Sequence, residues 1–595
     1  MTGDDGSAST PAVSVVVIVF NDADRLPAAV KSVLAQTLTD LEVVIVDDAS
    51  TDRSAAVAGR FAAKHPDRVR VVELPENSGG CSRPRNVGLE HVRGEYVMFL
   101  DSDDTYQPDA CATLLAAARR TGADFVAGRC VRVHIDDGAE SQWCPRLFEA
   151  PAVYENVRDH PDMLNDTLST NKMYRHAFLE RSGLRFADGL HYEDNLFSAQ
   201  AYLSAKRIAF IPDRVYNWTV ARRGNRQSIT SSKAELRNFV DRVEVNRRVD
   251  EFLLGRDCPD LKLHKDIKFI NHDLQMYVSD LRMRGAVYRR EFQAVAESYL
   301  AELDPSAFEE AKPVHGIMAF LLLHGESQRA IVASDFAGRK GRRGRLLTDL
   351  VAKGGRVYWC DDHLDTELGR AQLDVTELGL DEVPLDEFDV GNEVSMMALT
   401  QGRMYLAGGV VNPLGRITAD APVTGELELF DTRHSNRRVL VPVNVCYGQR
   451  RITWSVDVNV TEVLRPLGII DPSWGLRLLL HVGDGTYRTR VTADRMYSGG
   501  QLPVRPRMGR SVGDHVETRL TDGGLLSLRI VARAPVGRVT VCAGRWVTRT
   551  RTGRRLLSSV IAAERKLLAA LRPKRRPAAA LPEETAVEPS VGVPS

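Results

Sequence analysis

The opening of the chain alternates four short apolar runs with three stretches of helical spacing. Val13–Val19 is a β-branched run, and Glu42–Val46, Val69–Leu74 and Tyr96–Leu100 follow it. Between them, Leu26, Val30, Val33 and Leu34 recur at helical intervals. A second helix is expected after Ser50-Thr51-Asp52, and a third near Asn86–His91. Apolar runs separated by helices bury both their faces in a parallel sheet with helices on either side, so the class expected is α/β. Such sheets bind ligands beyond the carboxyl ends of their strands. Polar clusters lie there: Phe20-Asn21-Asp22, Asp47-Asp48, Glu76-Asn77 and Asp101-Ser102-Asp103.

At 595 residues the chain exceeds what one core serves, and several domains are expected. Residues 1–10 read as a disordered N-terminus and 11–230 as the α/β domain. From 231 to 345 the pattern is helical, with Leu236, Phe239, Val240 and Val243 on one stripe. The basic stretch Arg339–Arg345 marks its end, and 346–382 reads as a connector. After residue 383 the period becomes two. Leu427 and Leu429 alternate with Glu426 and Glu428, and Val439, Val441, Val443 and Val445 form a second alternating set, Trp454, Val456, Val458 and Val460 a third. With a turn at Gly483-Asp484-Gly485, this spacing indicates one or two β-sandwich domains over 383–550. Residues 554–572 read as a short basic helix, suited to peripheral contact with anionic lipid and equally to packing on the sandwich. The Pro/Ala/Glu tail at 577–595 reads as disordered.

Charge and cysteine usage exclude several classes. The 79 basic and 79 acidic residues cancel, so no net field draws the molecule to nucleic acid. The eight cysteines are scattered without a CxxC pair, which argues against a zinc ribbon or a disulfide framework and suits a reducing compartment. The N-terminus lacks a signal-peptide core, and Val13–Phe20 is too short to span a bilayer, so a cytoplasmic location is expected. No GxGxxG follows the first strand, which disfavours a dinucleotide-dependent oxidoreductase.

Four clusters carry chemistry. Asp101-Ser102-Asp103-Asp104 ends an apolar run with three carboxylates, which repel one another unless a cation lies between them. That cation is expected to be Mg²⁺ or Mn²⁺, held with the help of substrate phosphates; a solvated acidic turn is the plain alternative. Asp48 can accept a hydrogen bond from the N3–H of a uracil ring, although Ser50 or Asp52 nearby could simply cap a helix. Asn77-Ser78-Gly79-Gly80 and Pro84-Arg85-Asn86 follow the third strand, where glycines allow close approach and Arg85 can reach a base or phosphate. Glu193-Asp194 opens a helix, which either matches the helix dipole or supplies a general base for a hydroxyl. Arg222-Arg223-Gly224-Asn225-Arg226 is either a phosphate-holding loop or a solvated basic one.

Taken in order, the strand followed by Asp47-Asp48-Ala49-Ser50-Thr51-Asp52, then Asn77-Ser78-Gly79-Gly80, Arg85-Asn86, Phe99-Leu100-Asp101-Ser102-Asp103-Asp104 and the later Glu193-Asp194, resembles the GT-A family 2 inverting glycosyltransferases. Lys172-Met173-Tyr174-Arg175, Glu193-Asp194-Asn195-Leu196-Phe197 and Ala201-Tyr202-Leu203-Ser204-Ala205 narrow the resemblance to the wall teichoic acid polyribitol-phosphate β-N-acetylglucosaminyltransferases. The resemblance implies a GT-A (Rossmann-like) nucleotide-sugar domain, a helical linker and C-terminal immunoglobulin-like sandwiches that trimerise the chain. It implies that Asp48, Asn77 and Arg85 hold the uridine of a UDP-sugar, with Phe20 at the same pocket. Asp101 and Asp103 would lie at the diphosphate and metal, with Asp103 the direct ligand. Asp194 would be the base, Glu193 would place acceptor or sugar, and Arg222 would lie near the leaving phosphate. The acceptor implied is an anionic cell-wall glycopolymer. The strand end Ile18-Val19-Phe20-Asn21 departs from the family's usual Pro-x-Tyr-Asn, losing a tyrosine hydroxyl. Other readings are a different UDP-sugar with a capsule or lipid-linked acceptor, and a non-catalytic scaffold that binds glycopolymer.

Overall fold

The computed structural model describes residues 10–220, 234–337 and 345–531, omitting 347, 349, 385–388, 401, 421, 433–437, 461–472, 484, 504–514 and 522–523. The Arg222 loop, the basic stretch before Arg345, the turn at Asp484, the 554–572 helix and the tail at 577–595 therefore lie wholly or partly outside the described residues.

The first strands are β1 (Val13–Val19), β2 (Leu41–Asp47), β3 (Val69–Glu73) and β4 (Tyr96–Asp101). Between them run α1 (Leu26–Leu34), α2 (Ser54–Lys64) and α3 (Ser82–His91). Then come β5 (Thr105–Tyr106), α4 (Ala110–Thr121), β6 (Phe125–His134), β7 (Glu140–Gln142), β8 (Ala152–Tyr154), β9 (Lys172–Arg175), α5 (His176–Arg181), α6 (Glu193–Ser204) and β10 (Ile208–Val220). The sheet order is β3-β2-β1-β4-β9-β6-β10-β5. The first four strands are parallel, as the alternation predicts, but β9 runs antiparallel to both β4 and β6, which makes the sheet mixed. β6 and β10 are parallel to each other.

Alternate residues of β1 serve two cores. Val13, Val15, Val17 and Val19 pack with Val30, Val33 and Leu114 on one face, and Val16 and Ile18 pack with Leu89, Phe99 and Phe197 on the other. Both faces are covered, so the strands read as continuous apolar runs rather than alternating ones. Helix α3 lies so close to β1 that a Cβ on Gly88 would come within 2.3 Å of Val16 Cγ1. Arg85 is three residues earlier on the same helical face, and this close docking aims it across the strand ends.

The third helix starts at Ser82, earlier than the spacing suggests, and β10 runs to Val220. Neither Ser50 nor Asp52 is the N-cap of α2. That position is Arg53, and Asp52 instead accepts from Ser54 N at 2.8 Å.

Residues 236–337 are helical, beginning with α7 (Leu236–Leu254). Tyr192, the residue before α6, donates to Asn238 Oδ1 at 2.7 Å, and its ring lies 3.5 Å from Arg242 Cζ. The first helix of this region thereby grips the entrance to Glu193-Asp194. The chain divides into two compact units, one taking in residues up to 392 with 410–421 and 447–452, the other most of the C-terminal strands. Those strands are antiparallel, the expected all-β C-terminal part. Strand 438–446 divides its pairing: residues 438–443 pair with 425–430 and residues 444–446 with 453–455, so its two halves have different neighbours. Among the described residues no helix is long and apolar enough to cross a membrane, and seven of the cysteines are free thiols.

Candidate active site

The ends of β1 and β2 are tied together before any ligand is considered. Asn21, at φ 50°, accepts from the backbone N–H of Thr51 at 2.7 Å and of Asp52 at 3.1 Å. Ser50 Oγ donates to Asp47 Oδ1 and accepts from Asn21 N. Asp48 is buried beyond this knot. It accepts from Ser78 N at 3.0 Å, Ser78 Oγ at 2.9 Å and Asn77 Nδ2 at 2.9 Å. A carboxylate offers about four lone-pair sites, so one acceptor position is left for a donor such as a ring N–H. Burial raises the Asp48 pKa above its ordinary value. A cavity of about 240 Å³ opens beside it, lined in part by Asn77, Ser78, Gly80 and Arg83. Phe20, 46% exposed, sits at the end of the same strand as Asn21.

The acidic segment after β4 splits into three environments. Asp101 is one-third exposed and accepts from Arg85 Nη2 at 2.8 Å. Asp103, also one-third exposed, pairs with Arg25 Nη1 at 2.9 Å, and Arg25 Nε in turn pairs with buried Asp22 at 2.8 Å. Burial and the neighbouring Asp101 push the Asp103 pKa up to about 6. Asp104 is inaccessible: it accepts from Tyr216 Oη at 2.7 Å and Thr219 N at 2.6 Å, and serves to fix β10 against the acidic turn.

Arg85 is the centre of the site. It is 2% exposed, and Nη1 donates to Glu193 Oε1 at 2.6 Å and Asp194 Oδ1 at 2.9 Å while Nη2 takes Asp101. One guanidinium thus faces three carboxylates, and the group carries a formal charge of −2 when all are ionised. Burial together with mutual repulsion raises the pKa of both Glu193 and Asp194. Asp194 is the more open of the two, 21% exposed at the side chain against 6%, and is held by Ser169 Oγ at 2.8 Å.

The neighbouring loop locks this pair. Asn86 exchanges two hydrogen bonds with the backbone of Phe186, and Ser82 Oγ donates to Ala187 O. Phe186 stacks on Phe197 of α6 at 4.0 Å and lies 5.2 Å from Arg85 Cζ. Tyr192 takes a left-handed φ of 67° just before the helix, a strained conformation that the Asn238 and Arg242 contacts hold.

The structure therefore brings the expected residues together in two groups. Asp48 and Asn77 form one; Asp101, Glu193 and Asp194 form the other, with Asp103 beside it. Arg85 falls in the second group, where it pairs with Asp101, Glu193 and Asp194. Arg222 lies outside the described residues. Sequence reasoning gave no role to Ser78, Ser169, Asp22 or Arg25. Ser78 adjoins a motif residue and could have been found; Ser169 is in a loop with no pattern.

Asp101 and Asp103 supply hard carboxylate oxygens, each part-exposed and each held on one side by an arginine. Among the described residues no three metal-ligating side chains converge on one point. Mg²⁺ and Mn²⁺ commonly bind through one or two carboxylates with phosphate oxygens and water completing the shell, and these two residues fit that demand.

Residues 14–182 match the family model "Glycosyl transferase family 2". The chain is 30% identical over 260 residues, 42% of each protein, to the poly(ribitol-phosphate) beta-N-acetylglucosaminyltransferase TarS of Staphylococcus aureus. It is 28% identical over 239 residues to the poly(ribitol-phosphate) beta-glucosyltransferase of Bacillus spizizenii, covering 39% of this chain and 36% of that one. The matches thus span about two-fifths of the length of these relatives. Among solved structures, that of S. aureus TarS aligns over 88% of this chain and 86% of its own, at 18% identity and a TM-score of 0.47. Its 1–349 portion in complex with UDP-GlcNAc aligns over 59% of this chain and 97% of its own, at 21% identity and a TM-score of 0.45. Through its first domain, with a nucleotide-binding type of sheet and carboxylates at the strand ends, the chain resembles the family 2 glycosyltransferases and, among them, TarS.

Proposed function

We propose that this chain is an inverting glycosyltransferase that moves a sugar, GlcNAc in the first instance, from a UDP-sugar to a hydroxyl of an anionic glycopolymer such as polyribitol phosphate, leaving a β linkage. The observation that carries this reading is the Arg85 centre, which gathers Asp101, Glu193 and Asp194 at the carboxyl ends of the strands beside the Asp48–Asn77–Ser78 group. The similarity to TarS supports the donor and acceptor.

In this reading Asp48 and Asn77 recognise the uracil edge, and Phe20 offers an exposed ring beside it. Asp103, with Asp101, would hold Mn²⁺ or Mg²⁺, which when bound neutralises charge developing on the diphosphate. Asp194 takes the proton from the acceptor hydroxyl, whose oxygen attacks C1 of the sugar as the bond from C1 to UDP breaks. A single displacement inverts the anomeric centre. Glu193, more deeply buried and bonded to the same guanidinium nitrogen, fixes Arg85 and through it the Asp194 carboxylate. A base competent near neutral pH benefits from a raised pKa, and the crowding of three carboxylates supplies that. Arg222 is the proposed partner of the leaving phosphate.

The experiment is a UDP-release assay with polyribitol phosphate in wild type and Asp194→Asn. Polymer-dependent release that the variant loses, with UDP binding kept, supports the reading; equal loss of both removes Asp194 as the base. The likeness to the Bacillus spizizenii enzyme favours UDP-glucose as the second donor to try.

A further inference from the structure

On the side of the sheet remote from Asp48, Arg132 lies between two indole rings. Its Cζ is 4.6 Å from the centroid of Trp143 and 4.5 Å from that of Trp218, and the rings meet at 69° with centroids 5.9 Å apart. This frame orients a guanidinium without consuming its N–H donors. The Arg132 side chain has no carboxylate partner among the described residues, and burial pulls its pKa below the ordinary arginine value. The frame is itself anchored. Trp143 Nε1 donates to buried Asp166 at 2.8 Å, and Trp218 is the register partner of Arg132 across β6 and β10. Thr219, the next residue, donates its N–H to Asp104, so the frame is joined to the end of the acidic segment.

Position decides what such a cation faces. Reading across the sheet, Asp48 follows β2, Asp101 ends β4 two strands along, and Arg132 is near the end of β6 two strands further. At about 4.8 Å per strand, Arg132 is roughly 10 Å beyond the strand carrying the acidic segment. A nucleoside diphosphate whose base is at Asp48 and whose phosphates are at Asp101 and Asp103 ends short of it. The chemistry opposite Arg132 belongs to whatever approaches from beyond the diphosphate.

We propose that Arg132, framed by Trp143 and Trp218, is an anion subsite that takes a phosphodiester of the acceptor polymer. The assignment rests on the polymer-acceptor reading above and deepens it, since an orientated guanidinium with no carboxylate partner among the described residues favours a phosphate and leaves a neutral glycan with nothing to pair it. The acceptor's charge, not only its hydroxyl, is then read by the enzyme.

The test uses the full chain with Arg132→Gln and Arg132→Lys, measuring KM for polyribitol phosphate, kcat at saturating polymer, and UDP affinity. Loss of a charge-assisted hydrogen bond predicts that Arg132→Gln raises the polymer KM by about tenfold to a hundredfold, with kcat and UDP affinity within about twofold of wild type. Arg132→Lys keeps the charge without the planar fork and is expected in between, which preserves the test if the glutamine variant does not fold. Unchanged polymer KM in both variants overturns the proposal and leaves Arg132 a staple between strands. A fall in UDP affinity that matches the rise in polymer KM also overturns it, and assigns the cation to the donor's phosphates. Tryptophan fluorescence titrated with polyribitol phosphate separates this outcome from failure of the catalytic reading. If wild type turns over no polymer, binding that Arg132→Gln abolishes still supports the anion subsite, and equal binding by both overturns it.

Discussion

Replacing Arg85 with glutamine removes the one cation shared by Asp101, Glu193 and Asp194 while keeping a neutral, polar side chain there. Breaking a buried ion pair from one side costs about 3–5 kcal/mol, because the charges left behind lose their compensation. Two of the three carboxylates are part-exposed, at 32% and 21%, so the lower end, about 3 kcal/mol, applies here. For a domain of this size that corresponds to a fall in Tm of roughly 6–12 °C at pH 7. The loss must depend on pH. Glu193 and Asp194 already have raised pKa values in the folded state, and removing Arg85 raises them further. Groups of that kind favour the folded state at low pH and lose the contribution as pH rises through their folded pKa. As pH falls from 7 toward 5 the raised pKa values let the variant's carboxylates take up protons more readily, the repulsion falls, and the gap from wild type should shrink. Thermal unfolding of both proteins at pH 5 and pH 7 checks this, and adding Glu193→Gln to the variant should restore part of the loss at pH 7. Metal-free UDP binding should change little, since Asp48 and Asn77 are untouched. A fall below about 2 °C, or the same fall at both pH values, refutes the account of Arg85 as counter-ion to the cluster.

Asp194→Asn should lower transfer by roughly 10²–10⁴-fold with UDP dissociation unchanged, read by UDP release and by calorimetry. Asp103→Ala should weaken Mn²⁺-dependent UDP binding while metal-free UDP binding is kept; unaltered metal dependence contradicts its assignment as ligand. His315, buried in the helical region beside Lys312, has its pKa pulled down to about 4 by burial. A histidine with a depressed folded pKa favours folding above its unfolded pKa of about 6.5 and loses that contribution as pH falls toward 4. The full effect is about 3 kcal/mol, so His315→Asn should flatten the stability profile between pH 6.5 and 4 in urea titrations.

The strands of the first domain were legible because both of their faces are buried, which leaves runs such as Val13–Val19 without a polar interruption. The acidic cluster after β4 and the pair at the start of α6 were legible for the opposite reason, since ionisable residues next to apolar runs stand out. What could not be read was which of them share a partner. Arg85 joins Asp101 to Glu193 and Asp194 across separations of 16, 108 and 109 residues, and no local pattern encodes contacts at that distance. The antiparallel β9 was missed because four residues, Lys172–Arg175, carry too little periodicity. The division of Asp101, Asp103 and Asp104 among three environments follows from the turn's geometry and from Tyr216 and Thr219, residues more than a hundred positions away. Arg132 passed unnoticed because its aromatic frame comes from two separate segments, β10 and the loop after β7.

The activity proposed is transfer from a UDP-sugar by an Asp194-dependent displacement. UDP release with Mn²⁺, measured across UDP-GlcNAc, UDP-glucose and UDP-galactose with and without polyribitol phosphate, tests it most directly, with the product's anomeric configuration read by NMR. The expected result is release from UDP-GlcNAc that requires both the polymer and Asp194 and yields a β-linked product. An α-linked product, or polymer-dependent release that survives loss of Asp194, would contradict it.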